Sequence, residues 1–324
     1  MKDAGFHGHR AASGGLHKIL IERLGQRGRR RLVEARPAPL AAIAVKCELR
    51  DDEQRSAREV VLRVSATAMP VNPWAIALPA AAGIAAGVAA WGAVRSTSQL
   101  FGPALCRTPD RRQIALTFDD GPNPAVTPRL LALLRRRNVH ASFFLLGQFA
   151  RACPELVREI AARGHSLGNH TETHPNLALA SGRRIEDELA KCQASLATAL
   201  GNSEAARPRW VRPPFGYRRP GLWSAARRAG LAGVVMWSFM AYDWKPQPPA
   251  RLIARLARVA QRQENQPGGE IVLLHDGDFR QLGADRSHVI AALEHWLPRW
   301  QDAGFEFVTI DQVHRAAGAT ATIA

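Results

Sequence analysis

Residues 114–122 read IALTFDDGP, an apolar run that ends in two neighbouring aspartates and a Gly-Pro turn. Such a run is typical of a buried strand, whose carboxyl end would present Asp119 and Asp120 to a site. Adjacent carboxylates repel each other, so keeping both ionised requires a cation or strong hydrogen-bond donors nearby. One aspartate that binds a metal and one that acts as a base would meet this requirement. The same residues also make an ordinary turn, and the pair alone does not separate the two interpretations.

Two histidines provide further candidate ligands within residues 168–175, which read GNHTETHP. His170 and His174 are four residues apart and would share one face of a helical turn, a spacing common in metal sites. Pro175 argues against a long helix through this segment. Two imidazoles and one carboxylate would leave one coordination position open for water, as catalytic zinc sites require. Taken alone, the segment is equally typical of a surface turn with solvated histidines.

In three more segments, titratable side chains lie beside a rigid backbone or follow an apolar run. Residues 212–217 read RPPFGY, in which two prolines fix the backbone beside a guanidinium, an arrangement suited to preorganised transition-state stabilisation. Asp243 follows the apolar run 234–237, and residues 271–277 read IVLLHDG. Catalytic residues of parallel α/β folds gather at the carboxyl ends of strands. The five segments, in this order, therefore predict one common site.

The order TFDDGP, HTETHP, RPPFG, DW and LLHD resembles the NodB-like polysaccharide deacetylases, carbohydrate esterase family 4. The resemblance covers roughly residues 107–313, about two-thirds of the chain. It implies an α/β fold, a distorted and commonly seven-stranded (β/α) barrel. It also implies a metal-dependent enzyme that removes N- or O-acetyl groups from sugars.

The resemblance also implies a set of metal ligands and a base. Asp120, His170 and His174 would hold one divalent metal ion, most often zinc in this family. Asp119 would be the general base that takes a proton from water, and Arg212 would orient it.

The remaining roles implied by the resemblance concern the leaving group and the substrate pocket. The backbone N–H of Phe215 would help to stabilise the oxyanion. His275 would be the general acid, and Asp243 would pair with it and favour its imidazolium form. Trp244 and Leu273 would line the pocket that accepts the acetyl methyl group.

Two positions depart from the family pattern. Met240 lies where the family usually has an acid, three residues before the Asp-Trp pair, which puts the usual substrate contacts in doubt. Phe215 lies where tyrosine is common, so a hydroxyl is lost while a backbone donor is kept. Neither change removes a metal ligand, and we therefore expect an active enzyme.

From residue 107 onward, apolar patterning predicts alternating strands and helices and hence a parallel sheet closed, or nearly closed, by helices. The predicted helices are 126–137, 154–163, 184–200, 221–229, 249–262 and 288–304, and the predicted strands include 141–146 and 305–310.

The segment before the catalytic region 107–324 has a different composition. Residues 64–94 contain no charged side chain, and a hydrophobic anchor helix with its linker is predicted within 69–106. An export signal and a soluble Ala-rich helix remain alternatives. Residues 1–68 carry 14 basic and 8 acidic side chains, and this basic flank would keep the N-terminus in the cytoplasm and the catalytic domain outside. Secretion is the alternative location.

The extension 1–68 also admits another interpretation. It shows no convincing periodicity, and Met69 lies directly before the apolar stretch. Translation could therefore begin at Met69, with residues 1–68 unstructured or not translated.

The charge of +16, of which +10 falls on residues 69–324, is compatible with non-specific nucleic-acid binding. No nucleic-acid motif accompanies it, so solvated helix faces are expected and no nucleic-acid partner is predicted. The four cysteines show no C-x-x-C spacing, and Cys153 and Cys192 are expected to be buried. Glu172 is expected to face solvent, with a role in supporting the two histidines as the alternative, and the loop containing Asp285 and Arg286 is expected to lie over the site.

The sequence therefore predicts a metal-dependent hydrolase that removes N-acetyl groups from an acetylated amino-sugar polymer or oligomer, peptidoglycan or chitin-like. The alternatives are an esterase of O-acetylated, xylan-like polysaccharide and a deacylase of a lipid-linked or small-molecule amide. A glycan-binding domain without catalysis is the alternative from another class. The sequence does not predict the sugar, the linkage or the oligomeric state.

Overall fold

The structure is a computed structural model that describes residues 72–201, 207–263 and 266–321. The basic extension 1–68 and the proposed start at Met69 lie outside the described residues.

A parallel sheet forms the centre of the catalytic region. Its strands in the described residues are β1 (Ala104–Leu105), β2 (Gln113–Gly121), β3 (Ser142–Leu145), β4 (Ser166–Asn169), β5 (Trp210–Val211), β6 (Gly233–Val235), β7 (Phe239–Met240), β8 (Glu270–His275) and β9 (Glu306–Phe307). Their order is β1-β6-β5-β4-β3-β2-β8-β7, with β9 also paired to β2, and every ladder is parallel.

The sheet curls into a barrel that stays open. β1 and β7 lie at the two ends of the strand order, and no ladder joins them within the described ranges. The predicted distorted (β/α) barrel is therefore confirmed. The strand number depends on whether the strands of two or three residues, β1, β5, β6, β7 and β9, are counted.

The described residues form ten α-helices: α1 (Pro73–Val94), α2 (Thr127–Arg136), α3 (Gly147–Ala152), α4 (Pro154–Ala162), α5 (Gly182–Ala199), α6 (Leu222–Arg228), α7 (Pro249–Leu256), α8 (Arg258–Gln263), α9 (Ser287–Asp302) and α10 (Ile310–Ala321). The single helix predicted for 249–262 is divided into α7 and α8. The strand predicted for 305–310 is shorter, because Ile310 begins α10.

The alternation of side chains along β2 explains where the site lies. Ile114, Leu116 and Phe118 pack into the core cluster that contains α2, α4 and α9 side chains, whereas Ala115 packs into a second cluster with side chains of β6 and β8. Successive side chains of a strand point to opposite faces. Asp119 therefore lies on the same face as Ala115, and it pairs in register with His275 of β8.

The helix α1 is 22 residues long and contains no charged residue. It is the one helix in the described part of the chain that is long and apolar enough to cross a membrane, a judgement based on length and composition only. Its large apolar side chains, among them Trp74, Ile84 and Trp91, are exposed.

We predict that Leu293→Ala, in the core face of α9, lowers the free energy of unfolding by about 2–5 kcal/mol, because it leaves a cavity in a fully buried cluster. Leu179→Ala is the matched control. Leu179 is 84% exposed, so a change within about 0.5 kcal/mol is expected. Urea unfolding followed by tryptophan fluorescence measures both, and equal midpoints for the two variants would contradict the assigned core.

Candidate active site

The carboxyl ends of the strands surround a cavity of about 450 Å³. Eight of the ten predicted site residues line it: Asp119, Asp120, His170, His174, Phe215, Trp244, Leu273 and His275. The other two, Arg212 and Asp243, lie behind the cavity wall and hydrogen-bond to Asp119 and His275 respectively. The structure thus brings all ten predicted residues together.

A bulge in β2 allows two successive aspartates to reach the same cavity. The pairing of β2 with β3 shifts register between Asp119 and Gly121, and Asp120 between them has a φ of 67°. A bulge residue interrupts the alternation of a strand and redirects its side chain. Without this interruption Asp120 would point to the opposite face from Asp119.

The two histidines lie on a loop after β4, so the predicted helical turn is wrong. Thr171 and His174 both have positive φ angles, of 73° and 60°. Local hydrogen bonds hold this shape: the Thr171 N–H donates to the Asn169 Oδ1, and the His174 N–H donates to the Thr171 hydroxyl. Side chains that bond nearby backbone groups compete with helix formation in this way.

Asp120, His170 and His174 form a cluster that fits a metal ion. One ligand atom from each lies within 4.8 Å of the others, and all three residues are buried. The His170 Nδ1 lies 2.8 Å from the Arg212 carbonyl oxygen, which can only accept, so Nδ1 carries a proton and Nε2 is the nitrogen that faces the cluster. The Nε2 atoms of His170 and His174 lie 3.4 and 3.3 Å from the same Asp120 Oδ1. That oxygen is buried and has no hydrogen-bond partner among the described residues, as expected where a cation is to be bound.

The electrostatics of this cluster favour the protonation states in which His174 and Asp120 can bind a metal ion. Burial, together with the neighbouring His170, lowers the pKa of His174 to about 3, so this imidazole is neutral near pH 7. Burial alone would raise the pKa of Asp120, but the imidazoles of His170 and His174 outweigh it and hold that pKa below its ordinary value. A neutral imidazole and an ionised carboxylate are the forms that bind metals.

Asp119 is held by a buried arginine. The Arg212 Nη1 donates to the Asp119 Oδ1 at 2.8 Å and to the Thr117 hydroxyl at 2.7 Å, while Nη2 donates to the Met236 carbonyl at 2.9 Å. Arg212 is fully buried, and its guanidinium lies 4.1 Å from the Phe144 ring centre. The Asp119 Oδ2 makes no bond to Arg212 and lies 3.8 Å from the His170 Nε2, so this oxygen can accept a proton inside the cavity.

His275 is paired with a buried carboxylate. The Asp243 Oδ1 lies 2.9 Å from the His275 Nδ1, and the Asp243 Oδ2 accepts from the His275 backbone N–H at 2.7 Å. Burial lowers the pKa of His275, but the charge and hydrogen bond of Asp243 outweigh it and raise that pKa to about 9. The imidazole is therefore protonated near pH 7 and can act as an acid.

The remaining cavity wall is mainly apolar. Phe215 lies in a 3-10 turn (Pro214–Gly216) with a φ of 58°. Its ring packs edge-to-face with that of His174, with the ring centres 4.6 Å apart. Met240, at the position where the family usually carries an acid, lines the cavity with Trp244 and Leu273. The wall near Leu273 therefore offers hydrophobic contact where a carboxylate would be expected.

Glu172 is buried, so the expectation that it faces solvent is wrong. Its carboxylate forms an ion pair with Arg151 and accepts from the Ser195 hydroxyl at 3.1 Å. These partners belong to α3 and α5, more than twenty residues away on either side, and nothing local in the sequence marks them.

Other supporting residues were also missed. Phe279 stacks on His174 with ring centres 4.0 Å apart, and His288 donates from Nε2 to the Asp243 carbonyl at 2.8 Å. Asp276 is buried behind β2 and accepts from the Thr127 hydroxyl at 2.5 Å; burial raises its pKa to about 7. Arg286 lines the cavity as expected for its loop.

Comparison with known proteins agrees with this geometry. Residues 107–234 match the family model described as polysaccharide deacetylase. A chitooligosaccharide deacetylase of Bradyrhizobium sp. (strain ANU 289) is 34% identical over 209 residues, which cover 63% of this chain and 91% of the relative. A peptidoglycan-N-acetylglucosamine deacetylase of Bacillus cereus is 33% identical over 204 residues, covering 62% and 88%.

A solved structure shares the architecture. The crystal structure of the Bc1960 peptidoglycan N-acetylglucosamine deacetylase, in complex with 4-naphthalen-1-yl-N-oxidanyl-benzamide, superposes with a TM-score of 0.57 at 30% identity. The match covers 65% of this chain and 91% of that one. With the family motifs assembled in one cavity, the chain belongs to the polysaccharide deacetylase family and is a carbohydrate deacetylase.

Proposed function

We propose that the protein removes N-acetyl groups from an acetylated amino-sugar polymer or oligomer, peptidoglycan or chitin-like, with the help of one divalent metal ion, Zn²⁺. The observation that carries the proposal is the convergence, in one cavity, of the Asp119–Arg212 pair, the His275–Asp243 pair and a three-residue metal cluster. The named activities of the relatives support an acetylated amino sugar as the substrate class.

Asp120, His170 and His174 would hold the metal ion. When bound, it would supply Lewis-acid polarisation of the acetyl carbonyl and lower the pKa of a water molecule. Carboxylate and imidazole are ligands that zinc uses in catalytic sites, and three protein ligands leave a position open.

In the proposed mechanism, Asp119 accepts a proton from the attacking water through its free Oδ2. Arg212 keeps the other oxygen occupied by a hydrogen bond, so the base is oriented toward the cavity. The water oxygen forms a bond to the acetyl carbon, and the backbone N–H of Phe215 donates to the oxyanion that develops.

His275 then donates a proton to the sugar nitrogen as the C–N bond breaks. The products are acetate and the free amine, and the amine leaves as a good leaving group because it is protonated. Asp243 stabilises the imidazolium until this transfer. Trp244 and Leu273 contact the methyl of the acetyl group within the cavity.

We also propose the domain arrangement and the location. Residues 69–106 would form the anchor and linker, and residues 107–324 the catalytic domain. The exposed apolar surface of α1 is the observation in favour of membrane attachment, with the catalytic domain on the extracytoplasmic side. A cleaved signal, and hence secretion, is the competing arrangement.

A substrate panel tests the activity. We expect the full chain to release acetate from chitooligosaccharide or peptidoglycan fragments faster than from acetyl-xylan, and a chelator to abolish release until Zn²⁺ is restored. Faster release from acetyl-xylan would favour the O-acetyl esterase. Tight glycan binding by metal-loaded protein with no acetate from any substrate would favour a binding domain.

Two substitutions distinguish the residue that acts as the base from a residue that binds the metal. Asp119→Asn should lower kcat by about 10²–10⁴-fold, the usual effect of losing a positioned base, with bound metal still close to stoichiometric. His170→Ala should lose the metal itself, measured by elemental analysis. Asp302→Asn and His140→Ala, both at exposed positions, are the matched controls. A near-normal rate for Asp119→Asn would refute the assigned base.

The pH profile tests the acid. Because Asp243 raises the pKa of His275, Asp243→Asn should lower that pKa, and the protonated acid should be lost at a lower pH. The alkaline limb of kcat/KM should therefore move toward acid by at least about one pH unit, the scale of a single strong charge interaction. An alkaline limb that stays in place would show that His275 is not the group that titrates there.

A further inference from the structure

The end of the apolar helix α1 is joined firmly to the catalytic region. Arg218 is 3% exposed, and its guanidinium donates to three backbone carbonyls at or just beyond this end, those of Gly92, Arg95 and Ser98. The Arg218 backbone N–H also donates to the Ala93 carbonyl at 3.0 Å. The last carbonyls of a helix have no partner within the helix, and a cation there is favoured by the helix dipole. The orientation of α1 on the catalytic region is therefore fixed.

The distribution of aromatic side chains along α1 indicates where a bilayer would end. Trp74 and Trp91 lie near its two ends, both more than half exposed, and the residues between them include no charge. At 1.5 Å per residue they are about 25 Å apart along the axis, close to the thickness of a hydrocarbon core. Tryptophan prefers the membrane interface, and Arg95 lies just beyond Trp91, with its guanidinium 5.6 Å from the Trp91 ring centre.

The active-site cavity starts where this helix ends. Val94, the last residue of α1, lines the cavity that contains Asp119 and His275. It is three residues beyond Trp91, about 5 Å further along the axis. The half-exposed side chain of Leu100 packs against Gly92 near this end of α1, so apolar surface continues from the helix onto the catalytic region. A bilayer around α1 would thus reach the wall of the cavity.

The same cavity carries two unneutralised cations. Lys245 and Arg280 line it, both are exposed, and neither forms an ion pair with a carboxylate in the part of the chain that the structure describes. Of the lining carboxylates, Asp119 and Asp278 are paired with arginines, and Asp120 faces His170 and His174. Two exposed cations in a cavity beside an apolar membrane surface are suited to an amphiphile that carries an anionic group between its sugar and its lipid.

We propose that the substrate is a membrane glycolipid, an acetylated amino sugar joined through a phosphate or pyrophosphate to a long lipid chain, which is deacetylated at the bilayer surface. Lys245 and Arg280 bind the phosphate group while the lipid stays in the membrane next to α1. This inference rests on the proposed N-deacetylation, and it replaces the polymer with the lipid-linked amide that the sequence analysis gave as an alternative substrate.

Four probes test the proposal with the full chain, metal-loaded, in vesicles of zwitterionic phosphatidylcholine. The first is N-acetylglucosamine joined through phosphate to a long polyprenol. The second is the same sugar phosphate on a methyl group, the third is the same sugar on the same polyprenol through a neutral glycosidic bond, and the fourth is a chitooligosaccharide. Acetate release is measured for each.

We expect kcat/KM for the first probe to exceed the other three by ~10-fold or more, the order expected when two cations and a membrane surface act together. If kcat/KM for the methyl phosphate equals that for the first probe, recognition of the lipid chain is refuted. If kcat/KM for the neutral glycolipid equals it, recognition of the phosphate is refuted. An equal or higher value for the chitooligosaccharide would refute a membrane substrate and leave the deacetylase standing. Acetate from none of the four would refute the proposed function itself.

A charge reversal tests the assigned cations. The double variant Lys245→Glu/Arg280→Glu should lower the ratio of kcat/KM for the lipid phosphate to that for the neutral glycolipid by ~10-fold or more. The matched control is Arg258→Glu/Arg299→Glu, which makes the same charge change at exposed helix positions of α8 and α9 and should leave that ratio as it is.

The single variants Lys245→Ala and Arg280→Ala provide the same test if the double variant does not fold. Each should lower the ratio by a smaller factor, with a urea midpoint close to that of the unaltered protein. A ratio that stays constant in both single variants would refute the phosphate assignment.

Discussion

Two carboxylates that are neighbours in the chain, Asp119 and Asp120, are 3% and 5% exposed, and they meet different partners. Asp119 faces the guanidinium of Arg212, and Asp120 faces the imidazoles of His170 and His174, with one ligand atom of each of these three residues within 4.8 Å of the others. A buried carboxylate without such a partner is costly. The bulge at Asp120 makes the separation geometrically feasible, since it turns two successive side chains into the same cavity without placing them against the same partner.

The same constraint organises the strands around the site. β2 supplies both aspartates, β8 pairs with it in register and supplies His275, and Arg212 follows directly after β5. Because all the ladders are parallel, the carboxyl ends of the strands lie at the same end of the sheet, and all of these residues lie there. The apolar side chains of Met240 and Leu273 line the cavity at these strand ends.

Much of this arrangement could be predicted from the sequence, because it depends on short segments whose residue patterns are local. Apolar runs that end in polar motifs placed Asp119 and His275 at strand ends, and family motifs gave the partners Arg212 and Asp243. What could not be predicted depended on contacts between distant segments or on backbone angles. The loop shape at His174 depends on a positive φ, and the spacing of two histidines carries no information about it. Val94 lies in a segment of different composition, and nothing in the motif pattern connects it with the cavity that it lines.

Glu172, which lies between His170 and His174, has a consequence for how a metal ion would be acquired at the proposed site. Its buried carboxylate fastens the histidine loop to Arg151 on one helix and Ser195 on another, and Gly147 leaves only enough room for it. A loop anchored from its middle keeps both imidazoles in position whether or not an ion is present. The metal site would then be preorganised, and metal binding would cost little conformational entropy of the chain. In this respect the protein would differ from domains that fold only when their metal ion binds.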